Sequence, residues 1–533
     1  MHLPKFSRSL ARRLCLLACT GSVALAQNSV PAPAVFNPVA PEPAAVAERA
    51  RTAALAAADH RQMMAQLHLA EPGPFSAPEL DPKRPANTHR AEDRPQDWTD
   101  GVAGRTFIRS AWGNWTNYDL TIADTGPLPD PLVLKNGEPV RDAATWWKKR
   151  RPEILGDFVT EIYGRIPART PKVTWEIAET DPKALDGTAV MRRLMGHIDN
   201  AKFPAATPSL SVTLYTPASA TGPVPVMVAI GGFGGGLVGT LPPEAIAATD
   251  AVYSAAFARA EAAAAAAKAA SRAPPAGLNF GPGGPNKTRE LLLAKGWGYA
   301  TFSPGTLQAD NGAGLSLGII GLVNEGKPRA PDDWGSLAAI SWGLSRVIDY
   351  FETDKSVDAK RLGVEGHSRW GKATLVAMAF EPRWAIGYVS CSGEGGAKLH
   401  RHNFGESLDN VAGAGEYHWM AGNFLKYAGR WDALPVDQHE LIALVAPRPI
   451  FVTGGTTDLW ADPVGEFKAC VAAGPVYRLL GKKDVGRTAL PAPDEELIAG
   501  DIGFRFHEGG HTDALDWPTF LKFADKYFQP ASE

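Results

Sequence analysis

The segment from 361 to 380 constrains the fold most. It opens Arg361-Leu362-Gly363-Val364-Glu365-Gly366-His367-Ser368-Arg369-Trp370-Gly371-Lys372-Ala373 and runs on, apolar, to Phe380. A short strand leads into a serine beside glycine, and an apolar helix leads out. So sharp a turn needs small residues, because backbone and side chains crowd there. It also holds the serine oxygen near the helix N-terminus, where backbone N–H groups favour negative charge. That is the geometry of a nucleophile elbow. The usual G-x-S-x-G would place glycine at 370, but Trp370 stands there and Gly371 follows. A serine in this setting can also simply cap its helix, so both roles stay open on this segment alone.

The pattern around it is that of alternating strands and helices. Residues 226–230 form a continuous apolar run, fit for a buried parallel strand, and lead into Gly231-Gly232-Phe233-Gly234-Gly235-Gly236. Residues 173–179 and 210–215 alternate like strands. Further short strands are predicted at 298–303, 360–365, 389–392, 449–453 and 503–507. Helices are predicted at 144–163, with Trp146, Trp147, Ile154, Phe158 and Ile162 on the apolar face, at 333–353 and at 517–528. This order implies a mostly parallel sheet with helices on both faces.

The N-terminal part differs. Lys5, Arg8, Arg12 and Arg13 precede an apolar run from 14 to 26 that ends Ala24-Leu25-Ala26. This reads as a cleavable signal peptide, 1–26, too short to span a membrane, and predicts export to the periplasm or beyond. Residues 27–125 read as an extension, Pro-rich at both ends with an Ala-rich helix near 43–68, that packs on the main domain or stays partly mobile. The dense pattern of a catalytic domain begins near 126 and continues to 533. Residues 241–275 look like an inserted Ala-rich helix. The formal net charge of -3 gives no field that would draw nucleic acid or an anionic membrane. Cys391 and Cys470 remain after signal removal, and spacing does not say whether they pair.

A serine is a weak nucleophile without a base. Phe506-His507-Glu508-Gly509-Gly510-His511-Thr512 offers two histidines near the C-terminus. His511, in a glycine loop before the last helix, is preferred over His507 at the strand end. The acid that orients the base is expected after the preceding strand, and Gly454-Gly455-Thr456-Thr457-Asp458 supplies Asp458, with Asp462 as a rival. The chain order Ser, Asp, His is that of α/β-hydrolases. Arg369 and Lys372 lie one and four residues after the serine, where cations oppose the helix dipole. That placement suggests binding of an oxygen-rich substrate and support of an oxyanion. The glycines 231–236 either supply oxyanion amides or form a plain flexible turn. No cofactor or metal is expected: neither a dinucleotide fingerprint nor a metal-spaced Cys/His cluster occurs.

At 366–372, Gly-His-Ser-Arg-Trp-Gly-Lys resembles the elbow of the glucuronoyl esterases, carbohydrate esterase family fifteen, which typically reads G-C-S-R-x-G-K. Further likeness lies in Leu128-Pro129-Asp130-Pro131, Arg150-Arg151-Pro152-Glu153, Tyr163-Gly164-Arg165, 437–441, Pro447-Arg448-Pro449 and Trp460-Ala461-Asp462-Pro463. The resemblance covers about 126–533. It implies an α/β-hydrolase fold, a mostly parallel central sheet in a three-layer sandwich with helical insertions. It implies cleavage of esters between (4-O-methyl-)glucuronic acid of glucuronoxylan and lignin alcohols; separately, a monomer is expected. It further implies that Arg369 supports the oxyanion and that Lys372, Glu406 and Trp460 contact the sugar. Many members carry their acid as Glu where Cys391 stands, so the acid must come from elsewhere, from Asp458 or from nearby Glu394. A disulfide of fungal members is absent, since His367 and Thr512 occupy its positions. A general carbohydrate deacetylase and a non-catalytic carbohydrate-binding paralogue are the alternatives.

Overall fold

The computed structural model describes residues 43–69, 107–109, 115–117, 120, 123–231, 287–428 and 430–528. The signal peptide, most of the extension, Gly232 to Gly236 and the Ala-rich insertion lie outside the described residues. Among the described residues ten strands form one sheet in the order β11-β12-β10-β9-β8-β6-β7-β5-β4-β3. They are β3 (Val173–Lys183), β4 (Ala189–Ile198), β5 (Ser209–Pro217), β6 (Val224–Ile230), β7 (Gly298–Phe302), β8 (Val357–His367), β9 (Ile386–Ser390), β10 (Ile450–Gly455), β11 (Glu496–Leu497) and β12 (Ile502–His507). The pairs from β12 through β10, β9, β8 and β6 to β7 are parallel. Antiparallel β5, β4 and β3 extend one edge, and β11 closes the other. Two short strands, β1 (Phe107–Arg109) and β2 (Trp115–Asn117), pair apart from it.

The three layers follow from alternation along the central strands. In β6, Val226, Val228 and Ile230 join one hydrophobic core, whereas Met227 and Ala229 join a second on the opposite face. Every residue of β6 is buried, which is why it reads as an unbroken apolar run rather than an alternating one. The first core is covered by α3 (Ser336–Phe351) and α4 (Arg369–Phe380), the second by α2 (Lys287–Ala294) and α7 (Trp517–Ala524). Two more helices, α5 (Gln438–Val445) and α6 (Pro463–Leu479), pack against each other on the first face.

Two expectations change. The helix expected at 144–163 is interrupted by π turns at Trp146–Arg150 and Phe158–Ile162. These wider i→i+5 turns stretch the repeat, so the buried residues fall every fourth position: Trp146, Arg150, Ile154, Phe158 and Ile162. Trp147, placed on the inner face by a 3.6-residue period, is instead 44% exposed. Strand β8 is longer than the 360–365 expected. Its first half is polar, and its pairing with β6 is irregular between Val224 and Val226, which hides it from a periodicity reading.

From the extension, α1 (Pro43–Gln66) packs on the main domain through a face spaced at helical intervals, with Ala56, Met63 and Met64 buried. Cys391 and Cys470 are both free and buried. Among the described residues no helix is long and apolar enough to cross a membrane.

Candidate active site

Strand β8 ends at the elbow. Ser368 has φ 59° and ψ −129°, a region that residues other than glycine enter only under strain of order 1–3 kcal/mol. The surroundings fix it there. Its N–H donates to the Ser390 carbonyl of β9 at 2.9 Å. A Cβ on Gly366 would lie 2.3 Å from the Trp370 carbonyl oxygen, and one on Gly371 would lie 2.8 Å from the Ser390 oxygen. The displaced glycine is thus the point where α4 crosses β9. Trp370 fits because Gly231 faces it: a Cβ there would come within 2.6 Å of the indole Nε1. The proposed oxyanion amides of Gly232 to Gly236 lie outside the described residues.

Two loops from the next strands meet the elbow. Thr456 and Thr457 N–H groups donate to the His507 and Gly509 carbonyls at 2.9 and 2.8 Å. Glycine is needed on one side, since a Cβ on Gly455 would lie 2.3 Å from the Gly510 oxygen. This clasp brings His511 Nδ1 to 2.7 Å from Asp458 Oδ2. The His511 ring centroid is 4.2 Å from that of His367, the residue before Ser368. With Nδ1 donating to the carboxylate, Nε2 is the basic nitrogen of the ring. Asp458 is 2% exposed. Burial pushes its carboxyl up, but the His511 charge and hydrogen bond, with help from Cys391 and the Ala461 amide, outweigh burial and hold it below its ordinary value.

The rival acids and base are engaged elsewhere. Glu394 is fully buried against Lys398, at 2.8 Å, and His400. Burial opposes its ionisation, yet these cations hold its carboxyl down at about 2. Asp462 caps α6, accepting from the Gly465 N–H at 3.0 Å, and pairs with His402 Nδ1 at 2.6 Å. His507 lies 2.8 Å from Asp516 through Nδ1 and bonds the Gly510 carbonyl through Nε2.

Cys391 does lie beside the pair. Its sulfur and the ligand atoms of Asp458 and His511 are all within 4.8 Å of one another, the one metal-capable trio among the described residues. Burial first, then the charges of Asp458 and Glu466, push its thiol well up, so it stays neutral and does no carboxylate's work.

The cations of α4 are anchored from both sides. Arg369 Nη1 donates to Asp310 at 2.6 Å. Asp310 also bonds His418 Nε2 at 2.9 Å and accepts from Trp419 Nε1 at 2.6 Å. Burial opposes ionisation of Asp310, but Arg369 and His418 hold its carboxyl far below the usual range. Lys372 is buried and donates to Glu406 Oε2 at 2.6 Å and the Ser392 carbonyl at 2.7 Å. Both cations lie 5.5 Å from the Trp419 ring, within cation–π range. The Glu406 N–H donates to the Trp460 carbonyl at 2.7 Å, which ties the Glu406 loop to the Asp458 loop, and the Trp460 side chain is half-buried.

Three residues here escaped the sequence reading: Asp310, Glu416 and Trp419. Burial and the Glu406 charge push the Glu416 carboxyl up to about 8, and among the described residues its Oε2 has no hydrogen-bond partner. The aromatic cluster Glu416-Tyr417-His418-Trp419 was a usable signal. Asp310, in Asp310-Asn311-Gly312, looks like an ordinary turn acid.

Comparison with known proteins decides the family. A glucuronoyl esterase of carbohydrate esterase family 15 from Teredinibacter turnerae T7901 is 38% identical; the match covers 88% of this chain and 99% of that one, with a TM-score of 0.69. The chain belongs to carbohydrate esterase family 15. A glucuronoyl esterase from Solibacter usitatus is 35% identical over 75% of this chain and 97% of its own, with a TM-score of 0.61. The carbohydrate esterase MZ0003, from an unknown prokaryotic organism, is 34% identical over 78% of this chain and 93% of its own. The family model for fungal glucuronyl esterases matches residues 329–481. The fold is therefore the α/β-hydrolase fold, and this family 15 member is an esterase.

Proposed function

We propose that this enzyme hydrolyses esters of (4-O-methyl-)glucuronic acid, those joining glucuronoxylan to lignin alcohols, through an acyl-enzyme on Ser368. The glucuronoyl esterases among its relatives support the uronate ester as substrate. One observation carries the mechanism: an imidazole held by a buried carboxylate, at 2.7 Å, stands against the turn that presents a strained serine.

In the proposed reaction, His511 Nε2 takes the Ser368 proton as Oγ attacks the ester carbonyl. Asp458 stabilises the imidazolium that forms. The developing oxyanion meets the N-terminus of α4 and the Arg369 guanidinium. Protonated His511 gives its proton to the leaving alcohol, and water then releases the uronic acid by the same route. Lys372, Glu406 and Trp460 hold the sugar acid. The basic residues and apolar run of the first 26 residues support export, and the enzyme acts as a monomer.

The test is turnover of benzyl glucuronate against an acetylated xylose. Rapid hydrolysis of the first, abolished in Ser368→Ala, is expected. Equal rates on the acetyl ester would replace the reading with a general carbohydrate deacetylase.

A further inference from the structure

Helix α1 belongs to the extension that family resemblance in the sequence did not reach, yet it packs against the turns that carry Asp310 and Tyr417. Its inner face meets the two segments that hold Arg369. The first is the turn after Asp310: a Cβ on Gly312 would lie 3.0 Å from both the Ala56 methyl and the Tyr417 ring. The second is the turn Tyr417–Trp419. Tyr417, 1% exposed, donates its hydroxyl proton to Asp59. The His60 ring meets the Tyr417 ring edge-on at 4.8 Å, and its Nε2 bonds the Ala412 carbonyl at 2.9 Å. Met63 fills the space left by Gly422, where a Cβ would approach its sulfur to 2.2 Å.

We propose that α1 is a working part of the esterase site, which positions Arg369 by clamping Tyr417 with Asp59 and His60. Tyr417 is followed in the chain by His418 and Trp419, both of which bond Asp310, and Asp310 fixes the guanidinium at 2.6 Å. Asp310 accepts three bonds from groups on two different segments. Holding Arg369 therefore depends on the Asp310 turn and the Tyr417–Trp419 turn staying in register, and α1 touches both of these turns. A guanidinium that stabilises an oxyanion acts only from the right place, since small displacements cost large factors in rate. Asp59, His60 and Tyr417 are thus positioning residues. This inference rests on the reading of Arg369 as the oxyanion's cation.

The experiment is a double-mutant cycle in the full-length chain, followed by kcat and KM on benzyl glucuronate and by melting temperature. Arg369→Ala alone is expected to lower kcat about a hundredfold. Asp59→Ala and Tyr417→Phe are each expected to lower kcat about three- to tenfold with KM within twofold, and Asp59→Asn, which keeps an acceptor for the tyrosine, to restore most of it. In the Arg369→Ala background neither Asp59→Ala nor Tyr417→Phe lowers kcat further. Unchanged kcat in Arg369→Ala would sink the oxyanion reading itself. A drop in Arg369→Ala with unchanged kcat in the α1 variants, or α1 effects that add in full to Arg369→Ala, would overturn the role of α1 alone.

Discussion

Replacing Asp458 by Asn separates the charge of the triad acid from its shape. The carboxylate is 2% exposed and 2.7 Å from His511 Nδ1. At an effective dielectric of about 20, a carboxylate about 4 Å from the centre of an imidazolium stabilises it by about 4 kcal/mol. That is about three powers of ten in rate. The amide can also turn its N–H₂ toward Nδ1 and favour the wrong tautomer, which brings the expected loss in kcat to about ten-thousandfold. The assay is the initial rate on benzyl glucuronate, with the melting temperature as a check on folding. Glu394→Gln is the control. Its carboxylate pairs with Lys398 and His400 in a fully buried cluster, so its loss leaves charges uncompensated and is expected to destabilise by about 3–5 kcal/mol while folded enzyme keeps its kcat within about threefold, well short of the loss expected for the triad acid. A well-folded Glu394→Gln with the large kcat loss, beside an active Asp458→Asn, would refute this assignment.

Three further outcomes are expected. The Glu466 carboxyl is pushed up to about 8 from 4.5, chiefly by burial. The folded chain holds that proton between these values while the unfolded chain releases it, so stability falls as pH rises across the window; Glu466→Gln should flatten the decline of melting temperature between about pH 5 and 8, and an unchanged slope would contradict the assignment. Gly371→Ala places a methyl 2.8 Å from the Ser390 carbonyl and should cost about 1–3 kcal/mol in denaturant unfolding, with loss of activity; a wild-type midpoint would contradict the close crossing. Lys372→Met alone strands the Glu406 carboxylate and should destabilise by about 3–5 kcal/mol, whereas adding Glu406→Gln should recover most of that without restoring KM for the uronate ester; recovery of KM in the double variant would remove the pair from substrate binding.

Much of the architecture was legible because its signals are local. Strand β6 is apolar throughout and buried throughout, and the elbow carries its strand, small residues and helix within twenty positions. The adjacency of Asp458 and His511 could be anticipated because each follows a parallel strand, and β10 and β12 are neighbours. What stayed hidden depends on distant packing. Asp310 matters only because α4 and the turn at Tyr417–Trp419 converge on it. The π turns at Trp146–Arg150 and Phe158–Ile162 shift the buried face by an amount that no helical period predicts. Lys372 and Glu406, separately expected to meet the sugar, are bonded to each other, a pairing across 34 residues that spacing does not reveal.

The central claim is tested most directly by titration with a fluorophosphonate. Residual glucuronate esterase activity should fall linearly to zero as label rises to one equivalent per chain, with peptide mass spectrometry placing all of it on Ser368 and Asp458→Asn slowing both reactions together. Full uronate-ester turnover in completely labelled enzyme, or label on another residue as activity disappears, would contradict it.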